Sequence, residues 1–310
     1  RGRVEIGGDG RSFVADGKPY APFGVTYYRP GPGWAPQVWK TFDPAATAAD
    51  FDILGNLGAN CVRVFLTFGS FLTEQGNPAA EGFDKLDAFL DIAEEHGLCV
   101  HPTGPDHWEG LPSWARTDRI ADDIVLDALE RFWAHASRRY RGRSALFAYD
   151  LLNEPAVGWD TDAMRPKWRA WVLDRYGSVS AAAKAWSIGA GASGEPPVPA
   201  SEPAPGSAHL LDYQRFRESI ADEWTRRQAS AIREGDPDAL VTVGAIQWAI
   251  PYLLPSMPHY AAFRPSRQAE FLDFLSFHFY PLAEGMYQYE EAAARAANLA
   301  YVEAIAREVA

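Results

Sequence analysis

The sequence predicts an α/β fold of the (β/α)8 barrel type, because short β-rich runs alternate with amphipathic helical stretches and 310 residues suit one such barrel. The strand-forming runs are Tyr20 to Tyr27, Cys61 to Leu66, Leu98 to Thr103, Leu146 to Leu152, Leu240 to Ile246 and Phe271 to Phe279. Between them, Phe83, Leu86, Leu90 and Ala93 recur at helical spacing, as do Val125, Leu129, Trp133, Ala136 and Tyr140, and then Tyr213, Phe216, Ile220 and Trp224. Turns such as Leu57-Gly58-Ala59, His96-Gly97-Leu98 and Gly235-Asp236-Pro237 lead from a helix straight into a strand. Six β/α units are visible. Ahead of them, Val4 to Ile6 and Ser12 to Val14 flank a glycine-rich turn, which predicts a β-hairpin lidding the bottom of the barrel.

Composition narrows the partners. With 47% apolar and 23% charged residues the chain can bury a large core. No apolar stretch approaches the roughly 20 residues of a membrane-spanning helix. A net charge of −12 repels phosphate backbones and anionic lipid, so neither nucleic acid nor a membrane is an expected partner, and a neutral substrate fits better. The 13% of aromatic residues includes flat platforms suited to the C–H faces of sugars, although most such rings are core.

Cys61 and Cys99 are too few for a disulfide scaffold or a four-cysteine metal site and read as buried free thiols. Neither a His-x-His pair at a strand end nor a G-x-S-x-G elbow occurs, so no metal is expected and a serine hydrolase is disfavoured. Gly189 to Gly194 matches G-x-G-x-x-G in form, but Glu195-Pro196-Pro197 follows where a phosphate-binding helix would have to start. No cofactor is expected. Ser187 to Ser207, rich in Gly, Ala, Ser and Pro, reads as a long loop within the fourth unit.

The chemistry concentrates at Leu146-Phe-Ala-Tyr-Asp-Leu-Leu-Asn153-Glu154-Pro155, an apolar run ending in an amide and a carboxyl. Alone, the last three residues would pass for a solvated turn. At the C-terminal tip of a barrel strand they face the active end. Together with Asn60-Cys61-Val62-Arg63 at the second run and His278-Phe279-Tyr280 at the sixth, this pattern resembles the clan of retaining glycosidases that includes glycoside hydrolase family 5, the cellulase and mannanase family. The resemblance spans residues 20 to 280. It implies that Glu154 is the general acid/base, that Asn153 binds the sugar 2-hydroxyl, that Arg63 braces the nucleophile, and that His278 and Tyr280 line the subsite where the bond breaks. A short stretch, Trp171-Val-Leu-Asp-Arg-Tyr176-Gly177-Ser-Val with Ala185-Trp186, looks like the helix after the acid/base strand in family 42 β-galactosidases, which widens the possible substrates to galactosides.

Each assignment has a physical basis. A glycosidic oxygen is a poor leaving group, so its cleavage needs a carboxylic acid that is protonated near neutral pH and a second, ionised carboxylate about 5 Å away as nucleophile. Arg63 has the forked geometry to orient such a carboxylate, and Asn153 offers a hydrogen bond that strengthens as positive charge develops on the sugar. Trp248, past the fifth run, and His107 and Trp108, past the third, are candidate sugar-binding groups. Tyr27, Tyr28 and Arg29 are candidates for the opposite wall. For these loop aromatics a packing role competes on equal terms, and His101 serves equally well as a hydrogen-bonded core histidine.

The resemblance also implies a nucleophile Glu at the tip of a seventh strand. Glu284 follows the sixth run too early, and Glu303 and Glu308 fall on a helix read over Glu290 to Val309. Residues 1–310 are therefore read as a single catalytic barrel domain, incomplete at its C-terminus, with strands seven and eight expected beyond Ala310. The expected function is retaining hydrolysis of a β-linked oligo- or polysaccharide. The alternatives are a β-galactosidase-like exo-enzyme and a non-catalytic carbohydrate-binding barrel that has lost its nucleophile.

Overall fold

A computed structural model describes residues 2–108, 110–115, 118–189, 194–201, 207–249, 260–280, 282–283, 286–287 and 291–309. The first residues form an antiparallel sheet of β1 (Glu5–Ile6), β2 (Phe13–Ala15) and β3 (Lys18–Tyr20), one strand more than the expected hairpin. Next come β4 (Gly24–Thr26), β5 (Cys61–Thr67), β6 (Cys99–Asp106), β7 (Tyr149–Asn153), β8 (Val241–Ala245) and β9 (Ser276–Phe277), which lie side by side in that order as one parallel sheet. This is the six-unit barrel segment that the alternating pattern predicts. A short hairpin of β10 (Leu282–Ala283) and β11 (Met286–Tyr287) follows.

The helices occupy the crossovers. Between β4 and β5 lie α1 (Gln37–Lys40) and α2 (Pro44–Asn56), then α3 (Phe68–Phe71) and α4 (Ala80–Glu95), then α5 (Asp123–Arg139). The fourth crossover holds α6 (Met164–Tyr176), α7 (Val179–Ala185) and the long α8 (Ala208–Gly235), and α9 (Pro265–Gln268) precedes β9. The last helix, α10 (Ala292–Val309), lies inside the predicted stretch. Asp43, Asp122, Ser178 and Ser207 accept backbone N–H groups at the starts of α2, α5, α7 and α8, satisfying donors that a helix cannot satisfy itself. Gly58 and Gly97 end α2 and α4 at φ values of 81° and 68°, which other residues rarely adopt, and turn the chain directly into β5 and β6. Among the described residues no helix is long and apolar enough to cross a membrane.

Two of the six strands are far shorter than expected, while β6 ends, and β7 starts, three residues later than its run predicts. The run Tyr20 to Tyr27 breaks at residues 21–23, where Asn60 bridges the gap: its Nδ2 donates to the Ala21 carbonyl and its Oδ1 accepts the Phe23 N–H, both at 2.8 Å. The run Phe271 to Phe279 shortens to β9 because side chains replace the ladder ahead of it. Asp273 accepts the Val241 N–H at 2.8 Å, and Thr242 donates its hydroxyl to the Phe274 carbonyl at 2.8 Å.

The core splits by end. A large cluster between sheet and helices includes Trp39, Phe51, Phe83, Trp133, Trp168 and Trp224. A separate one sits where the strands begin: Val4, Cys61, Cys99, Phe147, Ala148 and Leu240 pack with Ile6, Phe13 and Tyr20 of the small sheet. The expected lid is thus in place, and Arg3 ties it to the end of α8 through a two-pronged ion pair with Asp236 at 3.0 and 2.8 Å. Both cysteines are buried free thiols. In the loop read over Ser187 to Ser207, residues 190–193 and 202–206 lie outside the described ones, and with them most of the glycine pattern. Its residues 194–201 carry no helix or strand. They are pinned by Trp159, whose Nε1 donates to the Pro199 carbonyl, and by Trp168, whose Nε1 donates to that of Pro197.

Candidate active site

At its N-terminal end β7 is an ordinary buried strand, with Tyr149, Leu151 and Leu152 packed away from water. Between Asp150 and Asn153 its register with β8 shifts. In a regular strand, positions three apart face opposite sides. Here both side chains reach Arg63 of β5: the guanidinium donates from Nε and Nη2 to Asp150 Oδ2 at 3.2 and 2.7 Å, and from Nη1 to Asn153 Oδ1 at 3.1 Å. Accepting from Arg63 on Oδ1 turns the Asn153 amide N–H2 outward, free to donate elsewhere.

One residue further, Glu154 takes φ 51°, a left-handed conformation uncommon for a side chain of this kind and costing on the order of 1–3 kcal/mol. Its neighbours hold it there. Its N–H donates to the Gly244 carbonyl at 2.8 Å, and its Oε1 lies 2.7 Å from His278 Nδ1 at the tip of β9. With the proton on Nδ1, the ring donates to the carboxyl and leaves Oε2 for another partner. The Glu154 side chain is 31% exposed, so it is reachable from outside yet held from inside.

Gly244 of β8 makes this crowding possible. A Cβ there would stand 3.0 Å from Arg63 Nη2, 3.1 Å from Asp150 Oδ2 and 3.1 Å from His278 Nε2, so three functional groups converge over a position with no side chain. Its N–H also donates to Asp150 Oδ1 at 2.7 Å. Asp150 is fully buried and accepts in addition from the Thr103 hydroxyl at 2.9 Å. His101 packs beside it, with Nδ1 at 2.9 Å from the Ala148 carbonyl and Nε2 at 3.8 Å from Asp150, and burial lowers its pKa. Of the two roles left open for His101, the structure selects the core histidine.

Around this centre the other candidates separate. Tyr280 is half-exposed and fixed through its backbone, its N–H donating to Gln247 Oε1 and its carbonyl accepting from Gln247 Nε2, each at 3.0 Å. Trp108 sets its edge on Phe65 at 4.5 Å, and Phe65 lies under the Arg63 guanidinium at 4.8 Å. Trp34, half-exposed on the loop after β4, leans on Trp108 at 5.0 Å and extends this wall outward. His107 is exposed, with Nδ1 at 2.5 Å from the buried Asp106 carboxylate, which Arg119 also approaches at 3.4 Å.

Trp248 packs beside a small apolar cluster of Ala245, Ile246, Ala249 and Ala261. Tyr28 lines a groove of about 390 Å³ with Ile53 and Leu54 of α2 and Asp50. Tyr27, a candidate for the cleft wall, is instead a core residue: its ring packs on Phe51 and Phe89 and its hydroxyl donates to Asp50 at 2.8 Å. An aromatic ring one residue past β4 is closer to the α2 and α4 packing layer than to the rim. Arg29 pairs with the same Asp50 at 3.2 Å. Glu284 lies outside the described residues, and Glu308 is held on α10 by Arg264 and Ser266.

Three residues of this neighbourhood were not singled out from the sequence. Asp150 was legible as a charge inside a strand buried on both faces, which must be paired. Gly244, a glycine inside Val-Thr-Val-Gly-Ala, carries the usual mark of a close approach. Trp34 sits in a Gly/Pro loop and gives no signal. Among the described residues there is no group of three or more His, Cys, Asp or Glu able to hold a metal ion.

Comparison with known proteins bears on the family and the fold. Among curated sequences, the β-galactosidase Bga of Halorubrum lacusprofundi is 27% identical over 246 residues, which cover 67% of this chain and 33% of that protein. The chain thus spans about a third of the length of that relative. Among solved structures, a catalytic mutant of Gan42B, a GH42 β-galactosidase from G. stearothermophilus, superposes with a TM-score of 0.66 at 19% identity, over 87% of this chain and 42% of that one. The GH5_18 protein of Streptomyces cattleya in complex with GlcNAc superposes with a TM-score of 0.54 at 22% identity, over 83% and 50%. Both branches named by the motif resemblance therefore share this barrel. The family model described as β-galactosidase, glycoside hydrolase family 42, matches residues 121–310, from the start of α5 through α10, and the chain belongs to that family.

Proposed function

We propose that this chain carries the acid/base side of the active site of a retaining β-glycosidase, with Glu154 as the proton donor. The single observation that carries the reading is Glu154 at the C-terminal tip of β7, held by His278 and flanked by the Arg63–Asn153 pair. In the first half-reaction the Glu154 proton passes to the glycosidic oxygen as the C–O bond breaks and a carboxylate bonds to the anomeric carbon. In the second, Glu154 takes a proton from water, whose oxygen displaces that carboxylate. His278 keeps Oε1 occupied, so Oε2 faces the leaving group. Asn153, its carbonyl tied to Arg63, points its N–H2 at the sugar, and the resemblance assigns it the 2-hydroxyl.

The nucleophile is assigned to a further strand adding to the edge of β9; among the described residues, Asp150 is engaged by Arg63 and Glu308 by Arg264. Trp108 and Trp34 serve as sugar platforms. Membership of the β-galactosidase family supports a β-galactoside as the first substrate to try.

The test is Glu154→Ala in the full chain. We expect hydrolysis of lactose, whose leaving group needs a proton, to fall by about 10²- to 10⁴-fold. Formation of the glycosyl-enzyme from a dinitrophenyl galactoside, whose leaving group needs none, should persist, with added azide restoring turnover. Equal loss on both substrates removes Glu154 from the acid role. A wild-type chain that binds galactosides without turnover favours the carbohydrate-binding alternative.

A further inference from the structure

The most unusual group near Glu154 is one that touches neither it nor solvent. Asp150 is 0% exposed, and its two oxygens accept four hydrogen bonds, from Arg63 Nε and Nη2, Thr103 Oγ1 and Gly244 N. A buried carboxylate must be compensated by a positive charge or be very costly. The candidates are on the neighbouring strands: Arg63 on β5, His101 on β6 and, past the tip of β9, His278. His101 does not supply the charge, because burial pulls its pKa down, and with Nδ1 donating to the Ala148 carbonyl it presents a bare Nε2. His278 spends Nδ1 on Glu154. Arg63 remains, and only 18% of its side chain is exposed, so each charge is the other's chief compensation.

We infer that Asp150 is a positioning residue whose buried charge holds the Arg63 fork against Asn153 and cancels the Arg63 cation, shielding the Glu154–His278 pair from it. The geometry requires both functions. An Arg63 lacking Asp150 keeps, among the described residues, a single side-chain hydrogen-bond anchor, the neutral Asn153 oxygen. Its Nη2 and His278 Nε2 converge over the same point above Gly244, so its uncompensated charge would act on the ring that holds the acid. A nearby cation favours the ionised form of a carboxyl and the neutral form of a histidine. A general acid beside a bare arginine would therefore give up its proton too early. Asp150 lets the site use the arginine's shape without its field. The bulge between Asp150 and Asn153 is the backbone device that puts anchor and counter-charge on one side of β7.

The inference rests on the glycosidase reading for its catalytic consequence but not for its electrostatics, and two measurements on the full chain separate them. The first is an NMR titration of the His278 imidazole in wild type and Asp150→Asn. We expect the ring to lose its proton at lower pH in the variant, and an unchanged titration overturns the inference whether or not the protein hydrolyses glycosides. The second is the pH profile of nitrophenyl galactoside hydrolysis. Asp150→Asn should lower kcat by about 10- to 100-fold with KM within about two-fold, and move the alkaline limb to lower pH. The double variant Arg63→Gln with Asp150→Asn should be no worse than Arg63→Gln alone and should return the limb towards its wild-type position, because the charge being cancelled is gone. Losses that multiply in the double variant overturn the inference. If Asp150→Asn does not fold, Thr103→Val removes one bond to the same oxygen and keeps the charge: kcat should fall a few-fold with KM unchanged, and an unaltered kcat counts against the positioning role. A wild-type chain without turnover refutes the glycosidase reading alone.

Discussion

The two ends of the parallel sheet are made by the same strands and are chemically opposite. Where β5, β6, β7 and β8 begin, Cys61, Cys99, Phe147 and Leu240 form a buried apolar floor, and Phe147 meets Phe13 at 5.2 Å and Phe274 at 5.6 Å. Further along them, Arg63 and Asp150 from mid-strand meet Asn153, Glu154 and His278 at the strand tips in a polar network around a strand glycine. Five residues of β7 and its approach separate Phe147 from Asn153. The contrast shows a division of labour along one strand: burial at the bottom supplies rigidity, and rigidity lets charged groups at the top be held against their solvation and against backbone strain at Glu154.

The largest expected effect that would break this division comes from the floor. Phe147→Ala should cost about 3–5 kcal/mol of stability, read by urea denaturation, because it empties the centre of an aromatic cluster. Turnover by the remaining folded protein should stay within about two-fold. A large fall in kcat at full folding would show that the two ends are not independent.

Gly244→Ala is the mirror experiment. The added methyl meets Arg63, Asp150 and His278 at 3.0–3.1 Å, so these groups must give by a few tenths of an ångström. We expect about a tenfold loss of activity, with a smaller shift in Tm than Phe147→Ala produces. Unaltered activity would show that the convergence over this glycine does not matter to the chemistry.

The smallest effect concerns His101, which lies at mid-height and belongs to both halves. Burial lowers its pKa in the folded chain, so the unfolded chain, with an ordinary histidine near about 6.5, binds the proton more readily. The sign follows: its contribution is complete above that pH and is lost as pH falls below it. Tm measured from pH 8 to pH 5 should decline less steeply in His101→Asn than in the wild type, and an identical slope would remove His101 from the acid response.

How far the sequence could be read follows the same axis. The alternation of runs, the turns at Gly58 and Gly97, and the helices α4, α5 and α8 were legible because each is a local pattern of propensity and periodicity. The ends of β4 and β9 were not, since they depend on Asn60 and Asp273 bonding across to other segments. Glu154, Asn153, Arg63 and His278 were found as motifs, and the structure brings these four together. Tyr27 stayed open between rim and core because one residue's offset decides between them, and no periodicity exists in a loop to fix it.

By itself the sequence determined that an amide and a carboxyl close the run ending at Glu154, because a strand's apolar body and its polar terminus are written in consecutive residues. Only the tertiary structure decided what those residues touch. Asp150 and Arg63 are 87 positions apart, Glu154 and His278 are 124 apart, and their pairing depends on the curvature of the sheet, one register shift and one missing Cβ. A hydrogen bond requires a fit of a few tenths of an ångström between segments, and that fit is set by the packing of the whole sheet.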